Sequence, residues 1–129
     1  MPPRAWVTRA GGIGKDLLTG GAGRDRFVVD AKLKSANVDI ISDFKHNADR
    51  VALEDTIFKK IGSSLSSGQF YAKAGAAKAH DSDDRIVYNS KTGKLYYDDD
   101  GNKTGGHDAI LFATLSNKAT LDHGDFVIV

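Results

Sequence analysis

Two consecutive nine-residue stretches, Gly11-Gly12-Ile13-Gly14-Lys15-Asp16-Leu17-Leu18-Thr19 and Gly20-Gly21-Ala22-Gly23-Arg24-Asp25-Arg26-Phe27-Val28, carry three glycines, an aspartate and an apolar residue at matching offsets. These residue types suit one chemistry, the binding of a hard cation. Calcium takes roughly six to eight oxygens from carboxylates, backbone carbonyls and water. Glycine enters positive φ without a Cβ penalty, so closely set glycines let the backbone curl and turn carbonyls inward beside one carboxylate. Asp16 and Asp25 are the candidate carboxylates, and Gly11, Gly12, Gly14, Gly20, Gly21 and Gly23 are the candidate loop formers. After each aspartate the chain must leave as a short strand, and Leu18, Phe27 and Val28 suit its inward face. A lone glycine-rich segment reads as a turn or linker, but two in register argue for a built loop.

The pattern Gly-Gly-x-Gly-x-Asp-x-apolar-x resembles the hemolysin-type calcium-binding repeat of RTX proteins. The resemblance implies a parallel β-roll in which one coil takes two repeats and each Ca2+ sits between turns two repeats apart. Asp16 and Asp25 then serve different ions. One coil of about 18 residues on from Gly20, a frame starting at Val38 has Asp39 at its second position and Asp43 at its sixth, which stacks Asp43 beside Asp25. The same step from Gly11 reaches Asp30, but meets Lys34 where an aspartate is wanted. Asp39 and Asp43 therefore join the candidate metal ligands. Upstream, Trp6-Val7-Thr8 is a worn trace of a repeat, with Trp6 placed to cover the open end of the roll. By this reading residues 1–30 are a truncated roll and 31–129 the C-terminal β region of a single domain, itself the end of a longer protein.

The stretch Asp39-Ile40-Ile41-Ser42-Asp43-Phe44, followed by Asp49-Arg50-Val51-Ala52-Leu53, reads as two strands joined by a turn. It is similar to the segment that follows the last repeats in serralysin-type metalloproteases. Glu54 to Ile61 is expected to form a short helix with Ile57, Phe58 and Ile61 on one face and Gly62 stopping it. The clearest hairpin is Arg85 to Asn89, the turn Ser90-Lys91-Thr92-Gly93, and Lys94 to Asp98, followed by a strand from Ala109 to Leu115. Asp98-Asp99-Asp100-Gly101-Asn102 reads as a turn first, because the later glutamate of an EF-hand loop is missing.

The terminal run Asp125-Phe126-Val127-Ile128-Val129 resembles the uncleaved C-terminal export signal of type I secreted proteins, within about the last 20 residues. That resemblance implies an ABC-type export machinery as partner and a bacterial extracellular destination. Residues 1–10 lack the regions of a cleaved secretory signal, and no stretch reaches the roughly 20 apolar residues of a membrane span. Cysteine is absent, which removes disulfides and thiol chemistry.

The net charge is +1, and the 18 basic residues are dispersed rather than gathered into the block that nucleic acid would demand. His46, His80, His107 and His123 stand apart in polar segments, form no zinc motif and read as surface residues. No nucleophile with a base partner is in view, so the chain is expected to be non-catalytic. The fold expected is mostly β, a short parallel β-roll running into an antiparallel, sandwich-like C-terminal part. The rival reading is a free-standing adhesion or carbohydrate-binding β-module, suggested by Tyr88, Tyr96 and Tyr97 on neighbouring strands.

Overall fold

The computed structural model describes residues 7–10, 17–20, 23–29, 38–46, 48–76, 79, 83–98 and 109–129. They form ten strands: β1 (Val7–Ala10), β2 (Leu17–Leu18), β3 (Asp25–Val29), β4 (Asp39–Ile41), β5 (Arg50–Leu53), β6 (Phe70–Lys73), β7 (Ile86–Asn89), β8 (Lys94–Tyr97), β9 (Ile110–Leu115) and β10 (Phe126–Ile128). Short 3-10 turns at Ser67–Gln69 and His123–Asp125 precede β6 and β10. The protein is mostly β, as its alternating runs of branched and aromatic residues require. No helix among the described residues is long and apolar enough to cross a membrane.

The strands sort into two sheets. One has the order β1-β3-β5-β10, with every neighbour parallel. The other has the order β2-β4-β9-β8-β7-β6 and is mixed. There β2, β4 and β9 run parallel, β9-β8-β7 are antiparallel, and β6 returns parallel to β7. From β1 to β5 successive strands alternate between the sheets, and each is parallel to the strand two places on. This alternation continues past residue 30. The antiparallel character expected of the C-terminal part is confined to β7, β8 and β9, while β6 and β10 each pair in parallel.

Spacing along this stack is uneven. Val7 lies opposite Asp25, an offset of 18 residues, but Leu17 lies opposite Ile40 and Arg26 opposite Arg50, offsets of 23 and 24. The extra residues lie between β3 and β4, because the step from Leu17 to Ile40 is already 23, and this moves every downstream residue out of an 18-residue frame.

Side chains from both sheets meet in one core: Phe27, Val51, Leu53 and Phe126 from the first, Ile41, Ile86, Tyr88, Leu95, Tyr97, Phe112 and Leu115 from the second. Phe70 of β6 meets Phe126 of β10 at 5.4 Å between ring centroids, a contact from one sheet to the other. The 54–61 segment, expected as a helix, is a succession of turns. Phe58 N–H donates to Glu54 O in helical fashion, but Ile61 N–H reaches only Phe58 O, and Gly62 at φ 94° ends the run. Its apolar side packs as expected, with Phe58 and Ile61 buried. Thr56 donates its hydroxyl and its backbone N–H to the Glu54 carboxylate, and the hydroxyl bond chiefly holds that acid below its ordinary range. The hairpin is found as read, with Gly93 at φ 81° and its N–H on Asn89 O.

Candidate metal centre

The parallel pairing of β2 with β4 places the turn after β2 directly over the turn after β4. Rung follows rung at the same offset. Ser42 N–H donates to Leu18 O, the hydroxyls of Thr19 and Ser42 are 2.7 Å apart, and Gly20 N–H donates to Asp43 Oδ1 at 2.9 Å. One residue pair further along the coil, Asp25 N–H donates to Asp49 Oδ1 at 2.9 Å. Asp43 is thus in register with Gly20, and the residue in register with Asp25 is Asp49.

Gly20 is the centre of this arrangement. A Cβ built on it would stand 2.3 Å from Asp25 Oδ2, so the missing side chain is what admits the Asp25 carboxylate. Asp25 has no solvent exposure, and Asp43 is half-buried. The glycine backbone therefore has one carboxylate on its Cα and another on its N–H. Both side chains brought to Gly20 are carboxylates, the kind of oxygen donor a hard cation takes. Gly23 sits at φ 88°, a conformation that other residues rarely adopt. Gly11, Gly12, Gly14, Asp16 and Gly21 lie outside the described residues.

Asp39 lies elsewhere. It opens β4, buried opposite Ala113 of β9, while Asp43 follows the far end of the same strand. The expected frame put both on one turn; the strand Asp39–Ile41 between them separates them. Asp49, which drew no attention as a ligand, is 1% exposed and holds two backbone amides at once, Asp25 N–H on Oδ1 and Lys45 N–H on Oδ2, each at 2.9 Å. A carboxylate so held suits burial because amide dipoles replace its hydration.

Asp-Arg-apolar opens three strands: Asp25-Arg26-Phe27, Asp49-Arg50-Val51 and Asp84-Arg85-Ile86. In each the aspartate is buried. Arg50 and Arg85 fold back to donate from Nη1 to the carbonyl of the aspartate before them, at 3.0 and 2.9 Å. This repeat was legible in the sequence and marks strand starts; Asp25 among its aspartates also lies against Gly20.

A second cluster joins the β4–β5 connection to the last turn of the chain. His46 Nδ1 is 2.5 Å from Asp125 Oδ2, and His46 Nε2 is 3.7 Å from Asp122 Oδ2. Asp125 is fully buried and also accepts Asp122 N–H on Oδ2 at 3.0 Å, with Arg50 Nη1 at 4.0 Å from its Oδ1. One donor atom from each of His46, Asp122 and Asp125 fits within a 4.8 Å group. Two ligands on one tetrahedral zinc stand about 3.3 Å apart, given bonds near 2.0 Å. The 2.5 Å contact is shorter than that and is a direct hydrogen bond between ring nitrogen and carboxylate. The cluster is a clasp in this geometry, and its nitrogen sets it apart from the all-oxygen preference of calcium. His46, read from sequence as a surface residue, is 29% exposed and paired.

Asp98 is buried at the end of β8, while residues 99–108, with Asp99, Asp100 and His107, lie outside the described residues. The tyrosines do not share an exposed face. Tyr88 and Tyr97 are buried; Tyr88 donates to Ala119 O at 2.6 Å, and the Tyr97 hydroxyl accepts Lys60 N–H at 3.1 Å. Burial pushes the Tyr88 phenol up to about 12. No protein-family model matches the chain, and no curated protein matches it.

Proposed function

We propose that this chain is a calcium-dependent folding and type I export module of a larger bacterial extracellular protein, without catalysis of its own. The observation that carries the reading is the junction at Gly20, where the Asp25 carboxylate lies against the Cα and Asp43 accepts the N–H. The parallel alternation of β1 to β5 between two sheets supports a roll of the RTX kind, with its glycine-rich turn at the edge.

In this reading Asp25 and Asp43, with carbonyls of the turn containing Gly20, Gly21 and Gly23, hold the ion. Gly11, Gly12, Gly14 and Asp16 supply an earlier turn, and Asp39, at the opposite end of β4 from Asp43, is left out of this site. Bound calcium contributes positive charge that offsets the gathering of carboxylates on separate turns. Those carboxylates converge only when β2 and β4 pair, so binding free energy becomes folding free energy. The tail from Asp125 to Val129 is an export address while the chain is unfolded and carries β10 once it has folded.

Circular dichroism of the purified chain during a calcium titration, with magnesium as control, tests the reading. A cooperative gain of β signal with calcium alone is expected. A chain already folded in chelator and indifferent to calcium would exclude it.

A further inference from the structure

The two clusters described above share one segment. Residues 42–46, 48 and 49 of the β4–β5 connection carry Asp43 and Asp49 on one side and His46 on the other. Asp43 holds Gly20, on the turn before β3, and Asp49 holds Asp25, the first residue of β3. The second oxygen of Asp49 holds Lys45 N–H, and Lys45 O accepts the N–H groups of Ala48 and Asp49. The backbone next to His46 is therefore fixed by the same carboxylate that holds Asp25 at the start of β3, and Asp43, which holds Gly20, lies three residues before His46 on the same segment.

From His46 the bonds continue into the C-terminus. His46 Nδ1 meets Asp125 Oδ2, which also accepts Asp122 N–H, and Asp122 Oδ1 accepts Gly124 N–H at 2.8 Å. These bonds shape the turn that launches β10. That strand is three residues long, sits at a sheet edge and pairs only with β5, aided by Val129 N–H on Leu53 O and Asp55 N–H on Val129 O. So short an edge strand draws much of its hold from whatever fixes its entry.

We infer that the β4–β5 connection is a latch through which order in the Gly20 turn controls docking of the C-terminal strand, with His46 as the positioning residue. Asp43 and Asp25 act on the tail through this connection, Asp43 along the short backbone path to His46 and Asp25 through Asp49 and Lys45. The inference rests on the calcium reading only for the identity of the ion that orders the Gly20 turn; the latch itself is a property of the chain. Its consequence is that the tail becomes inaccessible when the turn stack has ordered.

Hydrogen–deuterium exchange of the full chain, read by segment in calcium and in chelator, tests this with wild type, His46→Ala, Asp43→Ala and the double variant. His46→Ala should speed exchange over 126–129 about tenfold, equivalent to about 1.4 kcal/mol, as expected for a lost hydrogen bond to a buried charge. Protection of 26–29 and of the hairpin strand 86–89 should persist. Asp43→Ala should loosen both the Gly20 turn and 126–129, and the double variant should exchange over 126–129 no faster than His46→Ala alone.

Unchanged tail exchange in His46→Ala overturns the latch. So does Asp43→Ala loosening only its own turn, or two effects that simply add. If His46→Ala also strips the hairpin of protection, His46→Gln, which keeps a donor toward Asp125, supplies the same comparison and should give an intermediate tail rate. If no segment of the wild type responds to calcium, the calcium reading fails, and the four-variant comparison in the folded ion-free chain still decides the latch.

Discussion

The turn stack at Gly20 and the hairpin region of β7 to β9 belong to the same two-sheet protein, but they are held in different ways. In the hairpin region the hold is apolar. Phe58 packs edge-on against Tyr97 and Phe112 at 5.0 and 5.1 Å, and Tyr88 fills the core with its hydroxyl on Ala119 O. At the turn stack the hold is polar: buried Asp25 and Asp49, half-buried Asp43, and backbone amides. Apolar packing needs no solute to complete it, whereas converging carboxylates repel until something positive joins them. A region of the second kind is where a ligand can act as a folding switch, and a region of the first kind is the body it acts upon.

The comparison breaks most readily at Phe58. Replacing this fully buried ring by alanine is expected to cost roughly 3–5 kcal/mol, by the same amount in calcium and in chelator. Urea unfolding in both conditions measures it, and a cost that changes with calcium would mean the two regions are not separable.

Two glycines give a matched pair next. At Gly93 an added Cβ would meet the Leu115 carbonyl oxygen at 1.9 Å, on a backbone at φ 81°. Gly93→Ala should cost at least about 2 kcal/mol without regard to calcium. At Gly20 the obstacle is the Asp25 side chain, whose carboxylate can turn aside while its Cβ, 2.9 Å from the added one, needs only a small shift. Gly20→Ala should therefore cost about 1–2 kcal/mol in global stability while displacing a ligand, and so raise the calcium midpoint. Unfolding curves and calcium titrations of both variants separate these outcomes.

Asp25→Ala sharpens the contrast at the ligand itself. It should raise the calcium midpoint of folding about tenfold, corresponding to about 1.4 kcal/mol of binding, and an unchanged midpoint would remove Asp25 as a ligand. The smallest effect belongs to the hairpin region. Tyr88 keeps its proton up to about 12 when folded, against an ordinary value of 10.0. Between those values the unfolded chain binds fewer protons than the folded one, so stability should fall as pH rises from 10 toward 12 and be insensitive to this group below 10. Tyr88→Phe should flatten that slope.

Much of this was legible in the residues because it is local. Gly93 marked the hairpin turn, and the Arg85–Asn89 and Lys94–Asp98 runs marked its arms. The positions of Asp39 and Asp43 were not, because the frame depended on an 18-residue coil and the stretch between β3 and β4 makes the step from β2 to β4 five residues longer. Propensity favoured a helix over 54–61, and the packing of Phe58 against two rings prevailed with a run of turns instead. His46 gave no local sign of its role: its partner Asp125 is 79 residues away in sequence, and only the pairing of β5 with β10 brings them together. The Asp-Arg-apolar triplet was there to be read and accounts for three buried aspartates.

The central claim is that calcium binding is part of the folding free energy of this chain. Equilibrium urea unfolding at a series of free calcium concentrations tests it most directly. Above the dissociation constant each tenfold increase in calcium should add about 1.4 kcal/mol of stability per ion bound only by the folded state, with magnesium far weaker. An unfolding midpoint that stays put across the whole calcium range would contradict the account.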